Sequence, residues 1–278
     1  MSQPSPDTTA AGLIDSHAHL HDRAFDGDRA AVLARARAAG LTAIVTVGTD
    51  LAGSEAAAAL ARAEPSVFAA VGFHPHDAKD WDEAARSRIA ALAAEESVVA
   101  IGEIGLDFYR DLSPRADQER VFRDQLSLAD ELGLPVVIHS RDAHEETAAI
   151  LSEWAAARPR TPGAPLGVMH CFSGDAALAR RYAALGLTIS FAGPVTYPKN
   201  DVLRAAAAAV PPGRIIVETD CPYLSPQSRR GRRNEPAQVA ETAACIAALR
   251  GQAPSAFAIE TSEAARRAFG LAGVGVQS

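Results

Sequence analysis

The chain has 278 residues, 48% of them hydrophobic and 22% charged, which is enough for one large buried core. A formal net charge of −7 excludes a general basic coat for nucleic acid, so any polyanion contact must be local. Three cysteines (Cys171, Cys221, Cys245) make neither a disulfide framework nor a CxxC metal site, which points to a reducing, cytoplasmic compartment.

The opening MSQPSPDTTAA lacks the basic and apolar regions of a signal peptide, so residues 1–11 are expected to be a disordered tail. A short disordered tail is expected at 273–278, with one domain over 12–272 between them. No apolar run approaches the roughly 18 residues that cross a membrane, so no membrane partner is expected. Oligomeric state is not legible; a monomer is the working expectation.

From residue 13 onward a short apolar run alternates with a longer Ala-rich amphipathic stretch. Strand 13–19 (LIDSHAH) precedes helix 26–39, strand 41–48 precedes helix 53–63, and strand 67–74 precedes helix 82–94. Strand 98–105 leads to helix 115–132, strand 135–140 to helix 142–158, and strand 166–172 to helix 175–184. Strand 187–193 leads to helix 199–209 and strand 214–220 to helix 236–250, with a further helix at 254–269. Gly40, Gly133 and Gly186 sit where helices should end, and Pro114 and Pro198 where helices should begin. Eight strand–helix units in about 250 residues predict an α/β fold: a TIM-like (β/α)8 barrel, single domain, with an extra C-terminal helix. A doubly wound sheet is the alternative.

Polar residues are not spread evenly over these strands. The first run ends in His17 and His19, and the third in His74 and His76. The fourth carries Glu103 with Asp107 just after it, the fifth ends in His139 and Arg141, the sixth in His170, and the eighth in Glu218 and Asp220. In a barrel these C-terminal ends converge on one rim, where active sites lie. Burying so many unpaired ionisable groups would cost several kcal/mol each, about 2–7 for a single polar group, so something must compensate. A cation is the simplest candidate.

Imidazoles from His17, His19, His139 and His170 and carboxylates from Glu103 and Asp220 suit divalent cations. Six ligands exceed what one tetrahedral ion needs, so two divalent metal ions (Mg, Mn or Zn) sharing a bridging carboxylate fit the count. Such a pair would clamp an in-line displacement at phosphorus and acidify a water. The two lysines, Lys79 and Lys199, end no strand, which leaves Glu103 as the natural bridge.

The ordered set HxH (17–19), GFHPH (72–76), GEIGLDFYR (102–110), PVVIHSRDA (135–143), HCFSG (170–174) and ETDCPYLSP followed by RGRRNEP (218–236) resembles the TatD family of metal-dependent hydrolases, among the amidohydrolase-like barrels. The resemblance runs from about residue 13 to 270. It implies a deoxyribonuclease that cuts phosphodiester bonds of DNA from an end, in the 3'-5' direction, with DNA (single-stranded or ends) as its partner. It also implies that His17 and His19 hold one ion, that Glu103 bridges, and that His139 and His170 hold the second ion. Asp220 would bind the first ion and handle the attacking water, which makes Asp220 and Glu103 the catalytic pair. His74, in the GxHPH position, would contact substrate. One departure is Ala264, where the family often has Asn.

Arg141 and the loop arginines Arg229 and Arg232, beside Arg230 and Arg233, are candidate phosphate contacts, because the guanidinium fork matches phosphate. Phe73, Phe108 and Tyr109 could stack a base or pack the loops. Cys171 and Cys221 follow a ligand by one residue, so strand alternation turns them away from the site. Asp15 shares the face of His17 but lies deeper. Glu218 reads as support for a ligand, and His144 as a solvated helix residue. Two rival functions remain: an amide or ester hydrolase, including one acting on an aminoacyl ester of tRNA, and a metal-stabilised scaffold without activity.

Overall fold

The computed structural model describes residues 12–158 and 166–271, and the two expected tails lie outside the described residues. The strands are β1 Leu13–Ala18, β2 Leu41–Val47, β3 Val67–Val71, β4 Val98–Asp107, β5 Val136–Arg141, β6 Gly167–Met169, β7 Leu187–Phe191 and β8 Ile215–Val217. The helices are α1 Arg29–Ala38, α2 Leu51–Ala63, α3 Glu83–Ala93, α4 Arg115–Leu132, α5 His144–Ala157, α6 Ala176–Leu185, α7 Asp201–Ala209, α8 Val239–Leu249 and α9 Pro254–Phe269. Strand neighbours run β1 to β8 in order, all parallel.

The last edge closes beyond β8. Ala18 bridges Cys221 in parallel, Asp220 N–H donates to His17 O at 2.9 Å, and His19 N–H donates to Cys221 O at 2.7 Å. The sheet is therefore a (β/α)8 barrel with one added helix, as the alternation of runs predicts, and the doubly wound alternative fails. Asp50, Asp82 and Asp175 start α2, α3 and α6 by accepting the N–H of Gly53, Ala85 and Leu178. Gly133 and Gly186 end α4 and α6 in the left-handed region. Pro198 does not open its helix. It lies in a turn closed by Asn200 N–H on Tyr197 O, and α7 begins at Asp201.

Two apolar clusters hold the fold. The larger fills the space between strands and outer helices. The smaller joins Ile14, Val45, Val137, Val168 and Ile216 to Ala264, Ala265, Ala268 and Phe269 of α9. α9 sits at the N-terminal ends of the strands: Arg266 donates to the Thr42 hydroxyl, and Glu260 accepts the N–H of Gly213. It plugs that end of the barrel and leaves the opposite end open. The departure at Ala264 therefore lies in a buried apolar cluster far from the predicted ligands.

β4 and β5 must approach closely to bring their ligands together, and Gly105 makes this possible. It pairs with His139 at φ 142°, and a Cβ there would lie 2.0 Å from His139 O. That register puts Glu103 and Asp107, two residues before and two after Gly105, on either side of the His139 ring.

Candidate metal centre

Alternation along β1 and the residues just after it turns His17 and His19 into the open end of the barrel, where both are buried. Their Nε2 atoms lie 3.3 Å apart. Asp220 Oδ1 faces both, at 3.8 Å from His17 Nε2 and 3.3 Å from His19 Nε2. β8 is shorter than predicted and ends at Val217, so Asp220 stands on a turn with φ 54° that points it at β1.

Glu103 lies between two groups of nitrogens. Its Oε2 is 3.4 Å from His17 Nε2 and 3.9 Å from His19 Nε2. Its Oε1 is 2.8 Å from His139 Nδ1 and 2.8 Å from His170 Nε2. The six predicted ligands thus converge, and among the described residues they form three overlapping sets able to hold an ion: His17, His19 and Glu103; Glu103, His139 and His170; and His17, His170 and Asp220, which spans the two groups.

The outward nitrogens decide which atoms face inward. His19 Nδ1 lies 2.8 Å from Val47 O, which can only accept, so the ring proton is on Nδ1 and Nε2 presents a lone pair. His170 Nδ1 faces Glu218 Oε1 at 3.2 Å, and His139 Nε2 faces Asp107 Oδ2 at 3.3 Å, so each ring has an acceptor behind it to hold its proton when the inner nitrogen, now beside Glu103, turns to an ion. Carboxylate or carbonyl support behind a histidine is the usual arrangement around a metal. His17 Nδ1 is buried without a partner. Buried lone pairs gathered around one carboxylate repel unless a cation or proton lies among them, so this donor set fits divalent ions.

The electrostatics match that geometry. Burial would raise Glu103, but the imidazoles gathered around it, His170 first, and hydrogen bonds from His139 and His17 hold it well below the carboxylate range. Asp220 is likewise held down against burial by the His19 hydrogen bond and nearby imidazoles. Burial pushes His17 down, and His170 beside it adds to the effect. Against burial, Glu103 and Glu218 push His170 well up.

His74 joins this group at the rim. Its Nδ1 accepts the N–H of His76 at 3.1 Å, so the proton sits on Nε2, which is 3.5 Å from Glu103 Oε1. Burial and the charge of His139 hold His74 well below its usual value, leaving a neutral ring with one inward donor. Arg141 is exposed and lies over the Tyr109 ring at 3.9 Å. The arginine loop divides. Arg233 pairs with Asp28, Arg230 lies over Tyr197, and Arg229 and Arg232 are exposed with no ion pair among the described residues.

Two expectations need correction. Alternation does not reach Cys171: β6 stops at Met169, Cys171 has φ 42°, and its backbone N–H donates to Glu218 Oε1 at 2.7 Å. His144 is half-buried, with Nδ1 2.9 Å from the Ser140 hydroxyl, rather than solvated. Of the two readings for the aromatic residues, packing fits Phe73, buried edge-on against Trp81, and Phe108, which carries Arg115 over its ring; Tyr109 is exposed and carries Arg141 over its ring. Cys221 is buried in the apolar layer as expected. Asp15 accepts from the Thr219 N–H and lies 2.6 Å from its hydroxyl, fixing the residue before Asp220.

The family model described as TatD related DNase matches residues 14–270. The chain belongs to the TatD family. A Bacillus subtilis protein of this kind, named uncharacterized metal-dependent hydrolase YabD, is 41% identical over 92% of this chain and 98% of its own length. The 3'-5' ssDNA/RNA exonuclease TatD of Cronobacter sakazakii is 40% identical over 92% and 97%. Among solved structures, the Escherichia coli TatD homologue YJJV superposes with a TM-score of 0.86 at 31% identity, covering 93% of this chain and 98% of that one. The chain is accordingly a metal-dependent hydrolase of the TatD family, on a barrel without any helix among the described residues long and apolar enough to cross a membrane.

Proposed function

We propose that this enzyme hydrolyses phosphodiester bonds at the 3' end of single-stranded DNA, using two divalent ions bridged by Glu103. The observation that carries this reading is the split of Glu103, one oxygen toward His17 and His19 and the other toward His139 and His170. When bound, two ions at such a centre polarise a phosphoryl oxygen and lower the pKa of the attacking water.

The chain's own residues supply the rest. Asp220 is ionised and has the most exposed carboxylate of the group, so it can orient the water and take its proton. His74 offers its Nε2–H to a phosphate oxygen as a neutral donor. Arg229 and Arg232 stand exposed on the loop that follows Asp220 and can neutralise flanking phosphates, which reconciles an acidic chain with an anionic substrate.

The test is a panel of single-stranded DNA, duplex DNA, RNA and simple carbonyl esters, each with Mg²⁺, Mn²⁺ and Zn²⁺. Release of mononucleotides from the 3' end of single-stranded DNA supports the reading. Ester cleavage that survives charge reversal at Arg229 and Arg232, with no nucleotide release, would replace it with the ester-hydrolase alternative.

A further inference from the structure

Asp107 is buried at the end of β4, and every oxygen it carries is already in use. Oδ1 accepts the backbone N–H of Tyr109 at 3.0 Å and of Arg110 at 2.8 Å. Oδ2 is 2.9 Å from His76 Nε2 and 3.3 Å from His139 Nε2. Its own backbone is clamped by Gln118, whose Oε1 accepts Asp107 N–H and whose Nε2 donates to Asp107 O. The carboxylate thus ties together the loop after β3, the loop after β4 and strand β5, while the backbone of the same residue is tied to helix α4.

His74, Asp107 and His139 are also close enough together to hold an ion of their own. Hydrogen-bond polarity argues against that. His74 Nε2 carries a proton because its Nδ1 accepts from His76 N–H. His76 Nε2 and His139 Nε2 both turn to the same carboxylate oxygen, which in the ionised form can only accept. An oxygen that receives two imidazole protons is an anchor and has no lone pair directed at a metal.

We propose that Asp107 is the positioning residue of the second ion pocket. Glu103 Oε1 lies 2.8 Å from His139 Nδ1, and once an ion takes that place Asp107 holds the ring proton on Nε2, which keeps Nδ1 presented to the ion and couples that pocket to the rim at His76 and Tyr109. The proposal rests on the dinuclear reading above.

The test exploits the four hydrogen bonds. In Asp107→Asn the new amide N–H2 must face either the two backbone N–H groups or the two imidazoles. Backbone amides cannot change polarity, whereas imidazoles can move a proton. The amide therefore faces His139 and drives its proton to Nδ1, where it blocks the ion. Asp107→Ala removes the demand without reversing it. Chelator-competition titrations with Zn²⁺ are expected to give two ions in the wild type. Asp107→Asn should retain the first and weaken the second by about 10- to 100-fold, the usual cost of losing such support. Asp107→Ala should weaken the second ion less than Asp107→Asn, whereas a merely structural carboxylate would give the opposite order.

Equal second-ion affinity in wild type and Asp107→Asn, a larger loss in Asp107→Ala, or a third ion in the wild type would overturn the proposal. A wild type that binds no second ion would sink the dinuclear reading instead. Asp107 is then judged by ¹⁵N NMR of the metal-free wild type in alkaline buffer, which also decides if Asp107→Asn does not fold. Measured in Glu103→Gln as well, which removes the competing carboxylate at 2.8 Å from Nδ1, a ring proton on His139 Nε2 supports the proposal, and one that stays on Nδ1 overturns it.

Discussion

The backbone N–H of Asp220 donates to the carbonyl oxygen of His17 at 2.9 Å, across the seam where the last strand meets the first. That bond closes the barrel and places the Asp220 carboxylate against His17 and His19 in the same step. The site is therefore held by the closure of the fold. Asp15 reinforces the seam from below by gripping Thr219.

Because the backbone carries the seam, the Asp220 side chain can be removed without opening it. Asp220→Ala is expected to fold normally and to lower kcat by about 10²- to 10⁴-fold, the range of a lost general base. Circular dichroism and single-turnover cleavage of a labelled oligonucleotide check the two halves. Wild-type turnover in the variant would remove Asp220 from the chemistry.

Chelation should cost stability as well as activity. The His17 and His19 Nε2 atoms meet at 3.3 Å beside two carboxylates, and a bound cation relieves that crowding in the folded state alone. At a hundredfold excess over Kd, one ion adds about 2.7 kcal/mol, which raises the melting temperature by about 5 °C or more. Thermal scans of chelated and metal-restored protein measure this. The melting temperature should recover along with activity.

The candidate ligands are legible because each is a polar residue where an apolar strand ends, and a barrel gathers such ends whatever the loops do. Their supports were harder to read. Asp107 sits four residues after Glu103 in the same alternation, a usable signal, but its partners His76 and Tyr109 come from two loops whose paths no periodicity records. Cys171 defeated the alternation rule because β6 stops two residues earlier and the chain turns through φ 42°. His144 was misplaced for a similar reason: its partner is a side chain on the preceding strand, Ser140. Four consecutive-looking arginines gave no sign that Arg233 would be claimed by Asp28.

That division of the arginine loop has a measurable consequence. Each phosphate contact to a single strand contributes about 0.7 to the slope of log K against log salt. Replacing both Arg229 and Arg232 by Ala should reduce the slope by about 1.4 in oligonucleotide binding. Arg233→Ala should leave the slope nearly unchanged, since that charge is already paired. Equal slope changes for all three residues would contradict the division.

Asp28 gives the expected pH dependence. Hydrogen bonds from Arg233 and Arg35 lower its carboxyl to about 2. A carboxyl depressed in the folded state binds its proton more readily when unfolded, so its contribution is present above the ordinary value of 3.8 and is lost as pH falls through about 2. Asp28→Asn should have a lower urea midpoint than wild type at neutral pH, and the gap should narrow as the medium is acidified. The pair is exposed, so added salt should shrink the gap too. A gap that widens in acid would show that the sign is wrong.

The two ends of the barrel should respond separately to mutation. Phe269 is buried among Ala264, Ala265 and the lower strand residues, at the end opposite the candidate metal ligands. Truncating a buried Phe to Ala costs about 3–5 kcal/mol through lost transfer energy and the cavity left behind. Phe269→Ala is expected to lose stability of that order in urea unfolding. Below its melting temperature it should bind ions with wild-type affinity, because the ligands are fixed by the strand ends, the Asp220–His17 seam and Asp107, none of which touches α9. Loss of ion affinity in a still-folded Phe269→Ala protein would mean that the plug and the metal centre are mechanically coupled through the strands, and the independence of the two ends would have to be given up.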